Sequence, residues 1–202
     1  SRLVFFDSEI EKTLDYNFHI GEDLGDLWVG FDPGTTGSCV AVGTQADNIV
    51  MANVSITKST GPKIMPSLLT FDHNEEIITG NGKIPEYAYK YGSLASQKWD
   101  VAKYRFQSIK KLLGFKDVKE IVFKNITFEL TGKKLSSLLI QGLYKELDEF
   151  VKRLGNKELL NSHEAFDPKR AVIAIPNNFT ISKIQDIVEC IDYLEQFKEV
   201  RY

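Results

Sequence analysis

The sequence has few cysteines and no long apolar run. Two cysteines, Cys39 and Cys190, occur among 202 residues, too few for a disulfide framework or a cysteine-rich zinc site, so we expect a reducing compartment. No stretch approaches the roughly 18 apolar residues of a membrane-spanning helix. The short apolar run at residues 3–6 is followed by acidic residues and not by a signal-peptide cleavage site. These absences predict a cytoplasmic protein that has no membrane partner.

The sequence also lacks a strong charge of either sign. Lys and Arg number 25 and Asp and Glu number 28, which gives a formal net charge of −3. We therefore expect no broad positive field that would attract nucleic acid. With 43% hydrophobic and 26% charged residues, the chain has the composition of a globular protein with a sizeable core. Partners must therefore be sought in local sites.

The apolar pattern predicts an α/β fold. Three β-rich segments, residues 27–31, 38–43 and 49–54, follow one another with short connections and predict an antiparallel meander. Residues 131–155 predict a long helix that Thr131 caps and Gly155 ends.

The later part of the chain continues the alternation of strand and helix. The run at residues 171–175 predicts a strand buried on both faces and stopped by Pro176. A helix is predicted from Thr180, and residues 199–202 are typical of the opening of a strand.

The pattern also predicts a domain organisation. We expect residues 1–26 to be an N-terminal extension, and residues 27–54 and 131–202 to form one lobe. Residues 55–130 predict a smaller inserted α+β subdomain, in which residues 101–113 have apolar positions at helical spacing and Gly114 ends the helix.

One motif carries chemistry, the turn Asp32-Pro33-Gly34-Thr35-Thr36-Gly37 between two predicted strands. We expect Gly34 and Gly37 to adopt positive φ, so that successive N–H groups converge into an anion-binding concavity to which Thr35 and Thr36 add hydroxyl donors. Asp32 stands where a carboxylate can hold hydrated Mg²⁺ beside β- and γ-phosphates. A plain tight hairpin turn is the alternative interpretation of the hexapeptide.

Four segments resemble one family in the same order along the chain. Residues 29–42 resemble the first phosphate loop of the seventy-kilodalton heat-shock (DnaK-type) chaperones, with its Gly-Ile-Asp-Leu-Gly-Thr-Thr pattern followed by Ser-Cys-Val. Residues 65–71 resemble the family's Pro-Ser-Val-Val-x-Phe strand, and residues 108–114 its Lys-Arg-Leu-Ile-Gly helix end. Residues 171–179 resemble Ala-Val-Ile-Thr-Val-Pro-Ala-Tyr-Phe, and Gln185 on the next helix matches a family glutamine.

The resemblance implies the N-terminal half of an actin-like ATPase domain, with a ribonuclease-H-type mixed sheet flanked by helices. It implies that Gly34, Thr35, Thr36 and Gly37 hold the phosphates of ATP or ADP, and that Asp32 faces Mg²⁺. It also implies that Pro176 relays the nucleotide state to a partner domain. The implied partners are unfolded polypeptide clients, bound through a C-terminal domain beyond this chain, a J-domain co-chaperone and a nucleotide exchange factor.

The chain also departs from the family pattern. Pro33 replaces a leucine and removes one N–H from the loop, and Gly37 stands where a larger residue is usual. Lys83 is the candidate for the family's catalytic lysine, Lys90 is another, and a solvated surface lysine is the alternative for both. We expect the family's second phosphate loop and adenosine pocket to lie beyond Tyr202, so that this chain alone is inactive.

Other functions are compatible with parts of the sequence. A catalytically idle, actin-like interaction module is the main alternative, because Pro33 and the uncertain lysine weaken the case for turnover. A nuclease of related fold also begins with a strand ending in Asp-Pro-Gly, but it needs converging carboxylates and a basic surface. A sugar or acetate kinase shares the Asp-x-Gly-Thr-Thr pattern but not the later matches.

Overall fold

A computed structural model of the chain describes residues 3–7, 10–14, 27–43, 49–52, 54, 64–78, 83–153, 168–192 and 194–202. The strands in these ranges are β1 (Leu3–Asp7), β2 (Ile10–Leu14), β3 (Trp28–Asp32), β4 (Gly37–Gly43), β5 (Val50–Met51), β6 (Met65–Pro66), β7 (Leu68–Phe71), β8 (Tyr89–Tyr91), β9 (Tyr104–Gln107), β10 (Lys119–Val122), β11 (Thr127–Leu130), β12 (Arg170–Ile173) and β13 (Glu199–Arg201). The helices are α1 (Gly92–Gln97), α2 (Gly132–Arg153) and α3 (Ile181–Asp192), with 3₁₀ turns at Glu86–Ala88 and Ile109–Leu112. The fold is α/β.

The main sheet is mixed, with the strand order β13-β12-β3-β4-β5. Strands β3, β4 and β5 pair antiparallel, as the predicted meander requires. Strand β12 then pairs parallel with β3, and β13 pairs parallel with β12. Because β3 and β12 run the same way, Asp32 and the segment after Ile173 leave the sheet at the same, carboxyl end.

One face of this sheet is buried and the other is half-exposed. Side chains such as Val29, Phe31, Val40 and Ile173 are at most 2% exposed and form the core with α2 and α3. On the opposite face Trp28, Gly30 and Val172 are half-exposed. The prediction that residues 171–175 are buried on both faces is therefore wrong for Val172, because the helices described here cover one face.

Helices α2 and α3 follow the sequence prediction closely. The hydroxyl of Thr131 accepts a hydrogen bond from the N–H of Lys134 at 3.2 Å, which confirms the predicted N-cap of α2. The predicted apolar stripe of α2 is buried from Leu135 to Val151. Leu154 and Gly155 lie outside the described residues. Helix α3 begins one residue after Thr180 and packs against α2, so the two helices together close the core.

A second, smaller sheet has the strand order β8-β7-β9, and β10 and β11 form a separate antiparallel hairpin. Strand β6 pairs with β4, so the segment that enters the smaller sheet is attached to the arm of the Asp32–Gly37 turn. The assignment of residues 55–130 as an inserted subdomain stays a prediction, and so does that of residues 1–26 as an extension, within which β1 and β2 pair antiparallel.

The predicted helix at residues 101–113 is wrong. Residues Tyr104–Gln107 form β9, which pairs antiparallel with β7, and a 3₁₀ turn at Ile109–Leu112 follows. Tyr104 and Phe106 alternate with exposed Arg105 and Gln107, so pairing with β7 overrides a helical spacing that is ambiguous over so short a run. Ser108 adopts a left-handed φ of 53° between the strand and the turn, and Gly114 is left-handed at 77°, as predicted for a terminating glycine.

Candidate phosphate-binding site

The candidate site is the tip of the β3–β4 hairpin at the carboxyl end of the sheet. The N–H of Gly34 donates to the carbonyl of Asp32 at 3.0 Å across Pro33, which makes a tight three-residue turn. That amide is therefore engaged within the hairpin. Among the described residues the amides of Thr35 and Thr36 have no acceptor.

The glycines of the tip serve a different purpose from the one predicted. Among the glycines that the structure describes, left-handed φ occurs at Gly92 and Gly114 and not at Gly34 or Gly37. A Cβ on Gly34 would lie 2.0 Å from the carbonyl oxygen of Gly37, and one on Gly37 would lie 2.4 Å from the Ile64 side chain. Close backbone approach, and not positive φ, is what requires glycine at position 34, whereas at position 37 the close contact is with a side chain.

A small pocket that is lined mainly by residues with polar side chains lies beside the tip. Its volume is about 140 Å³, which is below the roughly 300–1,000 Å³ of pockets that hold drug-sized ligands. One wall comes from the hairpin, and the other comes from the segment before β7 and from the end of β9. The lining residues are Thr35, Thr36, Ser67, Leu68, Gln107 and Ser108. The pocket therefore has the scale of a phosphate group and not of a whole nucleotide.

Asp32 lies at the end of β3 beside Cys39, its register partner on β4. Burial, together with the negative charge of Asp32, raises the pKa of the Cys39 thiol from 9.0 to about 11. The thiol is thus neutral at physiological pH. No group of three or more metal-ligating side chains occurs in the described ranges, so a cation at this place would depend on one carboxylate together with water and ligand oxygens.

Lys83 is not among the residues that line the pocket. Its ammonium nitrogen pairs with the Glu195 carboxylate at 2.5 Å. Glu195 lies in the connection from α3 to β13, which leads into the amino end of the parallel strands. The hydrogen bond from Lys83 lowers the pKa of Glu195. The catalytic role of Lys83 stays a prediction. Its ion pair with Glu195 is what we expect of a surface lysine, the alternative interpretation given above.

A different lysine lies near the site. Lys110 follows the pocket residue Ser108 by two positions, is half-buried, and has its ammonium nitrogen 5.5 Å from the centroid of the Phe179 ring. Phe179 belongs to the turn after β12, where its N–H donates to the carbonyl of Pro176. Lys110 and Pro176 therefore both lie towards the carboxyl end of the sheet. In the sequence, Lys110 was marked only by its place in the segment 108–114, which resembles the family's helix end.

Comparison with known proteins finds relatives that carry the name DnaK. No protein-family model matches the chain. The chain is 30% identical over 159 residues to Chaperone protein DnaK of Mycoplasmoides gallisepticum, an alignment that covers 79% of this chain and 22% of that protein. It is 29% identical over 154 residues to Chaperone protein DnaK of Ureaplasma urealyticum, covering 76% of this chain and 20% of that protein.

The chain thus spans about a fifth of the length of these curated relatives. Within the described ranges no helix combines the length and apolarity needed to cross a bilayer. The chain is therefore distantly similar to DnaK chaperones over most of its length.

Proposed function

We propose that this chain is a polyphosphate-binding lobe of a DnaK-like chaperone ATPase, in which the β3–β4 hairpin holds the phosphates of ATP or ADP. The observation that carries the proposal is the hairpin tip at the carboxyl end of the sheet, where Thr35 and Thr36 line a small pocket. In α/β sheets ligands bind preferentially outside the carboxyl ends of the strands. The similarity to DnaK proteins supports a chaperone ATPase region in general.

The strand arrangement supports an actin-like fold for this lobe. A three-stranded antiparallel meander is followed by two strands parallel to its first strand, on the side away from β4. This is the arrangement that we expect of the ribonuclease-H-type sheet implied by the resemblance.

The size of the pocket limits what this chain binds by itself. Hydrogen bonds to charged groups contribute about 1.5–3 kcal/mol each, so three or four donors supply roughly 5–10 kcal/mol against an association cost of about 4–15 kcal/mol. We therefore expect a dissociation constant in the millimolar range, since 1 mM corresponds to about −4 kcal/mol.

Asp32 suits Mg²⁺ held through water. Mg²⁺ keeps several waters and takes one or two protein carboxylates together with substrate phosphates, and Asp32 supplies one carboxylate at the end of β3. When it is bound, the ion would neutralise phosphate charge during phosphoryl transfer. Asp32 would hold and orient the ion's water shell.

Lys110 is a better candidate than Lys83 for a cation beside the phosphates. The 3₁₀ turn that carries Lys110 starts directly after the pocket residue Ser108, whereas the Lys83 ammonium contacts Glu195. A lysine at this place would neutralise phosphate charge as a point charge.

The remaining parts of the proposal come from the family resemblance. Pro176 would relay the state of the nucleotide to the rest of the protein, a role that its position at the end of β12 allows. Polypeptide clients, a J-domain co-chaperone and a nucleotide exchange factor are the proposed partners.

The proposal is tested by titrating the chain with Mg-ATP and following backbone amides by NMR. We expect saturable shifts at Thr35 and Thr36 with a millimolar midpoint. The double variant T35A/T36A should weaken binding at least tenfold, while Thr127→Ala, exposed on β11, serves as the matched control. Equal affinities for the double variant and the control would refute the proposed site.

An idle interaction module is the second candidate. The engagement of Lys83 by Glu195 and the loss of one N–H at Pro33 favour it. ATP hydrolysis by the full gene product separates the two functions, because turnover above background that Lys110→Met reduces would exclude an idle module.

A further inference from the structure

Ser67 contacts the hairpin tip at two places. It lies between β6 and β7 and is 1% exposed. Its N–H donates to the carbonyl of Thr36 at 2.9 Å, and its hydroxyl donates to the carbonyl of Gly34 at 2.8 Å. One residue outside the hairpin thus holds two of the carbonyls that flank Thr35.

The direction of the hydrogen bond between the Ser38 and Ser67 hydroxyls follows from the number of protons that each hydroxyl can donate. The Ser67 hydroxyl has one proton, and it is given to the carbonyl of Gly34, which can only accept. The 2.8 Å contact between the hydroxyls of Ser38 and Ser67 is therefore donated by Ser38. The hydroxyl of Ser38, a residue that is also 1% exposed, contacts the hydroxyl of Ser67 and, among the described residues, reaches the tip through it.

Holding the Gly34 carbonyl also fixes an N–H group. The carbonyl of Gly34 and the N–H of Thr35 belong to one planar trans peptide unit and point in opposite directions. A hydrogen bond that fixes the carbonyl therefore fixes the direction of the Thr35 N–H, one of the donors of the proposed phosphate site.

Ser67 also joins the two walls of the pocket. The next residue, Leu68, pairs with Gln107 on β9, so Ser67 is one residue away from the strand that carries the opposite wall. A shift of the smaller sheet against the main sheet would reach the hairpin tip through this serine.

We propose that Ser67 is the positioning residue of the phosphate-binding hairpin, which orients the Thr35 amide and couples it to the smaller sheet. This inference rests on the proposed function for its consequence in binding, but the orientation of the tip by Ser67 does not depend on that function. The experiment below gives different results when the role of Ser67 is wrong and when the proposed function is wrong.

The experiment compares Ser67→Ala, Ser38→Ala and the double variant in the full chain. The first readout needs no ligand: NMR relaxation of the Thr35 and Thr36 amides, together with hydrogen exchange of the residue-67 amide, which donates to the carbonyl of Thr36. In S67A we expect a lower order parameter at Thr35 and at least tenfold faster exchange at residue 67, and in S38A an unchanged order parameter and less than twofold faster exchange. The double variant should not exceed S67A, because Ser38 acts through Ser67. Equal effects of S67A and S38A, or an additive double variant, would overturn the inference.

The second readout is the affinity for pyrophosphate, with ionic strength held constant. We expect S67A to bind about tenfold more weakly than wild type, S38A to bind within twofold, and Ser67→Thr to recover most of the loss by restoring the hydroxyl. If wild type does not bind pyrophosphate, the proposed function fails while the exchange data still decide the role of Ser67. If S67A binds as wild type does, the inference fails and the proposed function stands.

Discussion

The two ends of the parallel strands in the main sheet are built from different polar groups. At the carboxyl end the hairpin tip presents backbone amides and threonine hydroxyls beside a small pocket. At the amino end charged side chains contact one another: Glu199 pairs with both Arg170 and Arg201, whose guanidinium groups lie 5.4 and 4.9 Å from the centroid of the Trp28 ring.

This difference in polar groups shows that the end with more charged side chains is not the end that holds the candidate phosphate-binding site. The amino end holds more formal charge, but its ion pairs are satisfied by neighbours in the chain. The carboxyl end presents neutral donors whose geometry is fixed by close backbone packing, and neutral donors held in place suit an anion that arrives from solvent. Four substitutions test this difference between the two ends.

The largest expected effect is on stability and concerns Gly34, with Gly30 in the middle of β3 as its control. Gly34→Ala places a Cβ 2.0 Å from the carbonyl of Gly37, whereas a Cβ on Gly30 meets nothing within 4 Å. We expect G34A to lower the free energy of unfolding by about 2–3 kcal/mol, as overpacking does. The matched control G30A should change it by less than about 1 kcal/mol and in the stabilising direction. Urea unfolding measures both, and equal losses would contradict the close-packed tip.

The next effect is on binding and concerns two lysines. Lys110→Met removes a positive charge two residues after the pocket residue Ser108, and Lys83→Met removes one that contacts Glu195. We expect K110M to weaken pyrophosphate binding about fivefold, a loss of about 1 kcal/mol, and K83M to leave it within twofold. Calorimetry or NMR titration decides between them. If K83M weakens pyrophosphate binding more than K110M does, Lys83 and not Lys110 is the lysine beside the phosphates.

A smaller effect is expected from the stacked charges at the amino end. Arg201→Ala removes a half-exposed contact with Trp28 and an ion pair with Glu199. Because exposed pairs of this kind contribute about 0.2–1 kcal/mol, we expect a stability loss within that range and no change in pyrophosphate affinity. A loss of affinity would mean that the amino end takes part in anion binding.

The smallest effect is a change in one titration. The hydrogen bond from Lys83 lowers the pKa of Glu195 below its ordinary 4.5. A depressed carboxyl pKa means that the pair stabilises the fold above that ordinary value and loses its effect as the pH falls through the lowered pKa. We expect K83M to raise the pKa of Glu195, as followed by its side-chain carboxyl shift. An unchanged titration would show that the two groups do not interact in solution.

Much of the fold was predictable because strong local patterns and tertiary packing agree. The meander, the capped helix α2 and the strand before Pro176 each carry a pattern of apolar residues that their burial matches. The segment 101–113 failed because an apolar spacing that suits a helix also suits β9 beside β7. The exposure of Val172 was missed because strand composition does not show what covers the second face.

The candidate site was predictable only in part. The turn and its threonines were found from glycine and hydroxyl chemistry, but the reason for the glycines was wrong, since close contacts are not visible in a sequence. Ser67 and Lys110 come from segments about 30 and 75 residues from the turn, and pairing of strands brings them near it. Only the resemblance of their segments to the family marked them in advance.

The most direct test of the central claim uses Mn²⁺ in place of Mg²⁺, because the paramagnetic ion broadens NMR signals close to it. With Mn²⁺ and pyrophosphate added in small amounts, we predict that the amides of Thr35, Thr36 and Ser67 broaden first, that the strand Glu199–Arg201 is unaffected, and that Asp32→Asn abolishes the selective broadening. Broadening that centres on the amino end, or that is the same in D32N, would contradict a phosphate site at the hairpin tip.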